Sequence, residues 1–355
     1  MPALDPARIR RILIIKWSAL GDIAMSTCVM QDVALAFPDA EIHLNTQPPW
    51  DRLFRDDPRF SRILSIAVRE KGRKWHNIRR WLREVRQGRY DLIVDLQSND
   101  RSRLMLAWLR LTGNPALIIG NKPGFPWHFS GPLAGEANPV DRMRASLRAA
   151  GIQPQTARPV FHVPEHNRQQ AARLLASHGL QAGHYAVFYP GCQAAGYLKR
   201  WGNTNYASLA RQLLDQGRVA QVVLVGSKDE LEDCTEIARL GGTGVINLCG
   251  QTEVLDIIPI AMGAVLQVGN DTGTAHLAAA SVAPMVVVCG PTDVWRVRPQ
   301  GDNVVGIQAE MACMNCYCRQ PCEHHGCMKA IRPEDVLLAI DKPPANHVIM
   351  LKPRT

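Results

Sequence analysis

Short, mostly apolar runs, each cut off by a polar or glycine-bearing turn, recur along the chain and read as strands buried in a sheet. In the first half these are Ile12 to Lys16, Glu41 to Leu44, Asp91 to Leu96 and Ala116 to Ile119. Between them lie stretches with helical spacing. One runs from the turn Trp17 to Asp22 through Ala36, one covers Arg69 to Arg89, and one covers Arg101 to Leu111. Arg158 to Val163 reads as a strand leading out of this half, followed by a helix His166 to His178 closed by Gly179. The second half repeats the alternation. Strands are expected at Tyr185 to Tyr189, Gln221 to Val225, Val245 to Asn247, Ala264 to Val268 and Met285 to Val288. Helices are expected at Tyr206 to Gln216, Glu230 to Leu240, Val254 to Met262 and Pro333 to Ile340. Strands alternating with helices predict an α/β chain of two parallel-sheet domains, 1–180 and 181–355, with the boundary near Gln181 to His184.

In open parallel sheets, ligands bind outside the carboxyl ends of the strands, so the strand-to-helix turns are the places to look for chemistry. The most telling is GNDTGTAHLAAA, Gly269 to Ala280. It sets Asp271, Thr272, Gly273 and Thr274 at the start of a helix, where free N–H groups make an anion site, with His276 close behind. A diphosphate fits there. The turn PGCQAAGYLKRW, Pro190 to Trp201, brings Gly191 and the cations Lys199 and Arg200, suited either to charge on a phosphate leaving group or to an ordinary basic loop. In VGSKDELED, Val225 to Asp233, Glu230 is the candidate for a ribose diol, with Asp229 as its rival; both also suit the first turn of a helix. The first turn, KWSALGDIAMS from Lys16 to Ser26, carries Asp22, which serves either the helix dipole or an acceptor hydroxyl as general base. It does not match GxGxxG, so a dinucleotide fingerprint is absent.

Composition changes the picture in two respects. No apolar run is long enough to span a bilayer and no signal-peptide core follows the N-terminus, so a cytosolic protein is expected. The net charge of +9 is unevenly spread: Arg69 to Arg89 holds nine basic residues against Glu70 and Glu84, with Trp75, Ile78, Trp81, Leu82 and Val85 at helical spacing. That is either a surface helix packing its tryptophans inward or a basic amphipathic helix facing an anionic membrane or acceptor. No nucleic-acid reading module accompanies the charge, and no nucleic-acid partner is expected.

The ten cysteines are expected to be reduced, buried or metal-bound. Cys28, Cys192, Cys234, Cys249 and Cys289 fall on apolar faces or after strands and read as core. CMNCYCRQPCEHHGC, Cys313 to Cys327, has knuckle-like spacing, and Cys313, Cys316, Cys322 and Cys327 are candidate ligands for a structural zinc or iron, with a reduced cluster or disulfides as the alternatives.

Taken together, ILIIKWSALGDIAMS, DLQSNDRS at Asp95 to Ser102, PG…KRW at Pro190 to Trp201 and GNDTGTAHLAAA resemble the ADP-heptose:lipopolysaccharide heptosyltransferases of glycosyltransferase family 9. The tail from Cys313 to Val336 looks like that of heptosyltransferase II-type members. The resemblance implies a GT-B fold, two Rossmann-like domains facing a central cleft. It implies inverting transfer of heptose from ADP-heptose to the inner core of lipopolysaccharide on lipid A, without a required cofactor. In that picture Asp22 matches the base and Lys199 the lysine on the diphosphate. Gly191, Arg200, Glu230, Asp271, Thr272, Gly273, Thr274 and His276 serve the donor. Ser18, Arg79, Arg80, Arg83 and Arg101 serve the acceptor. The enzyme would work at the cytoplasmic face of the inner membrane, touching it peripherally. The competing expectations are another nucleotide sugar, a protein acceptor, a nucleotide-sugar epimerase, or a non-catalytic binder of anions.

Overall fold

The computed structural model describes residues 4–68, 70, 72–131, 138–192, 194–317 and 322–352. Its packing divides the chain into two compact units, Met1–His162 and Val163–Thr355.

The first unit is a five-stranded parallel sheet: β1 (Arg11–Ile15), β2 (Glu41–Thr46), β3 (Arg62–Ser65), β4 (Leu92–Asp95) and β5 (Leu117–Gly120), in the order β3-β2-β1-β4-β5. Helices α1 (Leu20–Ala36), α2 (Lys74–Gly88), α3 (Asp100–Leu111) and α4 (Pro139–Ala149) belong with it. Ile12 to Ile15 are fully buried, which is why β1 is apolar throughout rather than alternating. The chain winds outward from β1 to β3 and then returns to β4 on the other side of β1. The strand order therefore reverses between β1 and β4, and the turns after these two strands flank the reversal.

The second unit contains α5 (Glu165–Ser177), β6 (Tyr185–Tyr189), α6 (Asn203–Asp215), β7 (Gln221–Leu224), α7 (Leu231–Gly241), β8 (Val245–Asn247), α8 (Ile257–Met262), β9 (Leu266–Asn270), α9 (Gly273–Ala278), β10 (Met285–Cys289), α10 (Val294–Val297), β11 (Val304–Ala309), α11 (Gly326–Lys329), α12 (Pro333–Asp341) and β12 (Val348–Leu351). Its seven strands are all parallel in the order β12-β11-β10-β9-β6-β7-β8, so the reversal here lies between β6 and β9.

The alternating pattern is as the sequence predicts, with differences that have identifiable causes. Arg158 to Val163 is not a strand. Its backbone bonds go to side chains instead: Val160 N–H donates to Thr27 Oγ1 at 3.0 Å, and Arg59 donates to the Val160 carbonyl at 3.0 Å. The helix expected to close the first half, α5, packs with α8 of the second unit, where Asn167 Nδ2 donates to Asp256 Oδ1 at 2.7 Å. The units therefore part between His162 and Val163 rather than near residue 180. Strand β3 and helix α4 went unread in the first half, as did β11 and β12 in the second.

Candidate functional site

In the first unit, β1 delivers Lys16 and Trp17 into a turn that is clamped from two sides. Trp17 N–H donates to Gln97 Oε1 at 2.9 Å, and Lys16 Nζ reaches the Leu96 carbonyl at 3.3 Å. Behind the turn, Asn45 Oδ1 accepts two indole N–H groups, from Trp17 at 2.8 Å and from Trp81 of α2 at 2.6 Å. The Asn45 amide donates to Leu64 O at 2.8 Å. All three side chains are buried, so each needs these partners. On this base sits α1, whose third residue is Asp22. The carboxylate is exposed, and its Oδ2 accepts the Ala19 N–H at 3.3 Å. Asp22 thus stabilises the start of its helix and still offers a charged oxygen to solvent. Ser18 is half-buried in the same turn.

The turn after β4 is held by a residue to which sequence reasoning gave no role. Asp95 is completely buried. One carboxylate oxygen accepts Ser98 N–H at 2.9 Å and Gln97 N–H at 3.2 Å. The other accepts the Ser102 hydroxyl at 2.9 Å and Trp127 Nε1 at 3.3 Å. Burial pushes its carboxyl up to about 6 against the pull of these hydrogen bonds. The unfolded chain gives up this proton near pH 4, so the native state binds it more tightly. Asp95 therefore contributes stability at low pH that is lost as the pH rises through about 6, an effect of order 3 kcal/mol. The expected result is that Asp95→Asn flattens this part of the stability–pH curve, read by denaturant unfolding at intervals from about pH 4 to about pH 7. Parallel curves for wild type and variant would remove Asp95 as the source.

The predicted acceptor arginines divide. Arg79, Arg80 and Arg83 are exposed on α2, with Arg80 Nε 3.9 Å from Glu84, whereas Arg101 is half-buried in the first turn of α3.

In the second unit the turns after β6 and β9 are drawn together by Asn270, buried at the end of β9 and also unread from sequence. Its amide donates to Pro190 O at 2.6 Å, and its oxygen accepts Tyr206 OH at 3.0 Å and Trp201 N–H at 3.2 Å. Next to it, Lys199 Nζ meets Asp271 Oδ2 at 2.6 Å. The same carboxylate accepts the Thr292 hydroxyl at 3.0 Å, and its other oxygen lies 3.5 Å from His276 Nε2. Burial alone would raise the Asp271 carboxyl. The His276 hydrogen bond and the Lys199 charge outweigh it and hold the group below the usual carboxylate range. Asp271 is thus a buried anchor that fixes Lys199. Thr272 caps α9, its hydroxyl accepting Ala275 N–H at 3.4 Å. Gly273 and Thr274 follow as the first two helical residues, whose N–H groups have no carbonyl one turn back. His276 is buried, and its Nδ1 has no hydrogen-bond partner among the described residues.

Glu230 is nearly buried between two turns. Its Oε2 accepts Ser227 N–H at 2.5 Å, and a Cβ placed on Gly191 would lie 2.1 Å from its Oε1. The glycine of the Pro190–Gly191 turn is what lets this carboxylate sit against the backbone. Asp229 is exposed. Arg200 pairs with Asp233 at 2.5 Å and donates to Cys192 O at 3.2 Å.

In the cysteine-rich segment, Cys313 Sγ lies 4.0 Å from His324 Nε2. Cys313 and Cys316 are exposed, Cys322 is half-buried, and Cys327 packs in the core of the second unit, where burial pushes its thiol up to about 11. Among the described residues no group of three His, Cys, Asp or Glu side chains converges to hold a metal ion, and Cys318 lies outside them. What the segment does is brace the lysine turn: His325 Nε2 lies 2.7 Å from the carbonyl of Leu198, one residue before Lys199. The five cysteines expected in the core are all free and buried.

A profile of glycosyltransferase family 9 (heptosyltransferase) matches residues 78–326. The chain belongs to this family. It is 25% identical over 334 residues to lipopolysaccharide heptosyltransferase 3 of Escherichia coli K12, a match that covers 91% of this chain and 94% of that one. Among solved structures it is similar to a family 9 glycosyltransferase from Veillonella parvula, with a TM-score of 0.72, 19% identity and coverage of 84% and 85% of the two chains. It is also similar to E. coli ADP-heptose LPS heptosyltransferase II, with a TM-score of 0.70, 24% identity and coverage of 93% and 97%. These structural likenesses carry the fold, and the chain is a GT-B glycosyltransferase built of two Rossmann-like parallel-sheet units.

Proposed function

We propose that this heptosyltransferase moves heptose from ADP-heptose to the inner core of lipopolysaccharide with inversion. In this reading the first unit holds the acceptor and the second holds the donor. The observation that carries it is the Lys199–Asp271 pair beside the open first turn of α9, at the strand reversal of the second unit. The named relatives support the donor and acceptor classes, since one is an ADP-heptose enzyme and the other a lipopolysaccharide heptosyltransferase.

The chemistry follows from the residues. Asp22 takes the proton of an acceptor hydroxyl. The oxygen attacks the anomeric carbon of heptose from the face opposite the diphosphate, a new C–O bond forms, and the bond to ADP breaks with its electron pair going to the diphosphate. Lys199 and the N–H groups of Gly273 and Thr274 meet the charge that gathers there, with Thr272 and His276 alongside. Glu230 accepts hydrogen bonds from the ribose hydroxyls. Ser18, Arg79, Arg80, Arg83 and Arg101 meet the phosphorylated acceptor. That acceptor is carried on lipid A, so the enzyme works at the cytoplasmic face of the inner membrane.

Gly191→Ala drives a methyl group into the Glu230 carboxylate. Losing a charge-assisted hydrogen bond to the ribose is expected to raise the donor KM roughly tenfold with a smaller change in kcat. An unchanged KM would take Glu230 out of the donor site. The test of the function itself is nucleotide release from ADP-heptose, UDP-sugars and GDP-sugars in the presence of a truncated core acceptor. Release from ADP-heptose alone is expected. Release only from a UDP-sugar would replace the donor, and an epimerised sugar nucleotide formed without acceptor would replace the reaction.

A further inference from the structure

The basic helix α2 was legible in the sequence, but its neighbour α3 carries a feature that the transfer chemistry leaves unexplained. Leu104, Trp108 and Leu111 are 71%, 56% and 75% exposed. They stand at i, i+4 and i+7, so they form one stripe on the helix surface. The opposite stripe, Met105, Leu106 and Leu109, is buried in the core of the first unit. Thus α3 is apolar on two faces, and one of them meets water.

The surroundings of the stripe are aromatic and cationic. The Arg110 guanidinium lies 4.9 Å from the ring centroid of Phe125, itself exposed, and Arg103 donates to the Phe125 carbonyl at 2.9 Å. α2 packs against α3, and Arg86 near its end bonds Thr112 just past α3. Trp75 near the start of α2 is 72% exposed, with the Lys74 ammonium 5.6 Å from its ring. Lys71 to Lys122 holds twelve Lys and Arg against four acids, and so carries eight of the chain's nine net positive charges. Of those acids, Asp95 is buried, Asp91 accepts the N–H groups of Arg10 and Arg11, Glu84 pairs with Arg62, and Asp100 lies 3.9 Å from Lys122.

We propose that α2 and α3 form a docking face for an anionic lipid bilayer, with Leu104, Trp108 and Leu111 entering the headgroup layer and the arginines around them meeting lipid phosphates. This deepens the proposed function and rests on it only for the identity of the membrane. Charge complementarity selects the occupant. A second copy placed on this face would oppose its own positive field. A polyanion in water would satisfy the arginines but leave the leucines exposed. An anionic bilayer satisfies both, as for interfacial helices with a basic face beside Trp and Leu. No helix among the described residues is long and apolar enough to cross a membrane, so the contact is a surface one.

The experiment is sedimentation of the full chain with vesicles of phosphatidylcholine alone and of phosphatidylcholine with phosphatidylglycerol, across a salt series. Wild type is expected to bind the anionic vesicles and to release as salt rises. Trp108→Ser/Leu111→Ser is expected to lose about tenfold or more of that binding, while its melting temperature and its transfer to a delipidated, soluble core acceptor stay at wild-type values. Leu104→Gln alone is expected to shift binding in the same direction, which keeps the test alive should the double variant fold poorly. Equal binding by wild type and variants, or equal binding to both vesicle types, overturns the proposal. So does a concentration-dependent dimer that the double variant abolishes, because it assigns the stripe to a second copy. Transfer to the soluble acceptor is read separately, so a failure of the membrane face and a failure of the transferase reading give different results.

Discussion

Replacing Asp22 by Asn is expected to lower the rate of heptose transfer by about 10²–10⁴-fold while leaving donor affinity unchanged. The two side chains have the same shape, and the Asn oxygen can still accept the Ala19 N–H that Asp22 holds at 3.3 Å. The start of α1 and the clamped turn before it should therefore survive. What disappears is the basic oxygen that the exposed carboxylate offers to solvent. A merely structural Asp22 would show the opposite pattern, a lowered melting temperature with turnover intact. Single-turnover transfer and equilibrium binding of ADP separate the two. Undiminished turnover in the variant removes Asp22 from its role.

Lys199→Met carries the second large effect, and it has two parts that can be told apart. The ammonium proposed to meet the leaving diphosphate is lost, which is expected to cost about 10²–10³-fold in kcat. The buried Asp271 carboxylate also loses its main positive partner and keeps only Thr292 and His276. Burial then dominates, the carboxyl rises, and the fold is expected to lose roughly 1–3 kcal/mol. The double variant Lys199→Met/Asp271→Asn removes the stranded charge. It should regain most of the stability and none of the activity. A double variant that regains both would mean that Lys199 acts only as a structural counter-ion.

These predictions depend on features that the sequence discloses unevenly. The strands at Ile12, Asp91, Tyr185 and Met285 were legible because each is an apolar run buried on both faces, a pattern that survives without tertiary information. The turns after such strands were legible for the same reason: Asp22 follows β1, Lys199 follows β6, Glu230 follows β7 and the Asp271 turn follows β9. The strands that went unread have weaker signals: β3 and β12 are edge strands with only part of each buried, and β11 is interrupted by Gly306, where a Cβ would meet Val294 at 2.4 Å. Arg158 to Val163 misled because an apolar extended segment looks the same whether its backbone bonds go to a neighbouring strand or to the side chains of Thr27 and Arg59.

The positioning groups were hidden for a further reason. Asn45 matters through Trp17 and Trp81, and Asn270 through Pro190 and Tyr206, partners distant in sequence that only the fold brings together. The sequence likewise placed Asp271 in the turn that opens α9 without disclosing its pairing with Lys199, 72 residues away. For the cysteine segment, spacing suggested a metal. The packing of Cys327 into the core and of His325 onto the lysine turn is a second role for the segment that spacing did not disclose.

The most direct test of the account is mass analysis of a truncated inner-core acceptor incubated with ADP-heptose and the purified chain. The account predicts that the acceptor gains one heptose residue for each ADP released, and that the new linkage has the anomeric configuration opposite to that of the donor. ADP release with no gain in acceptor mass, or a product that keeps the donor's configuration, would contradict it.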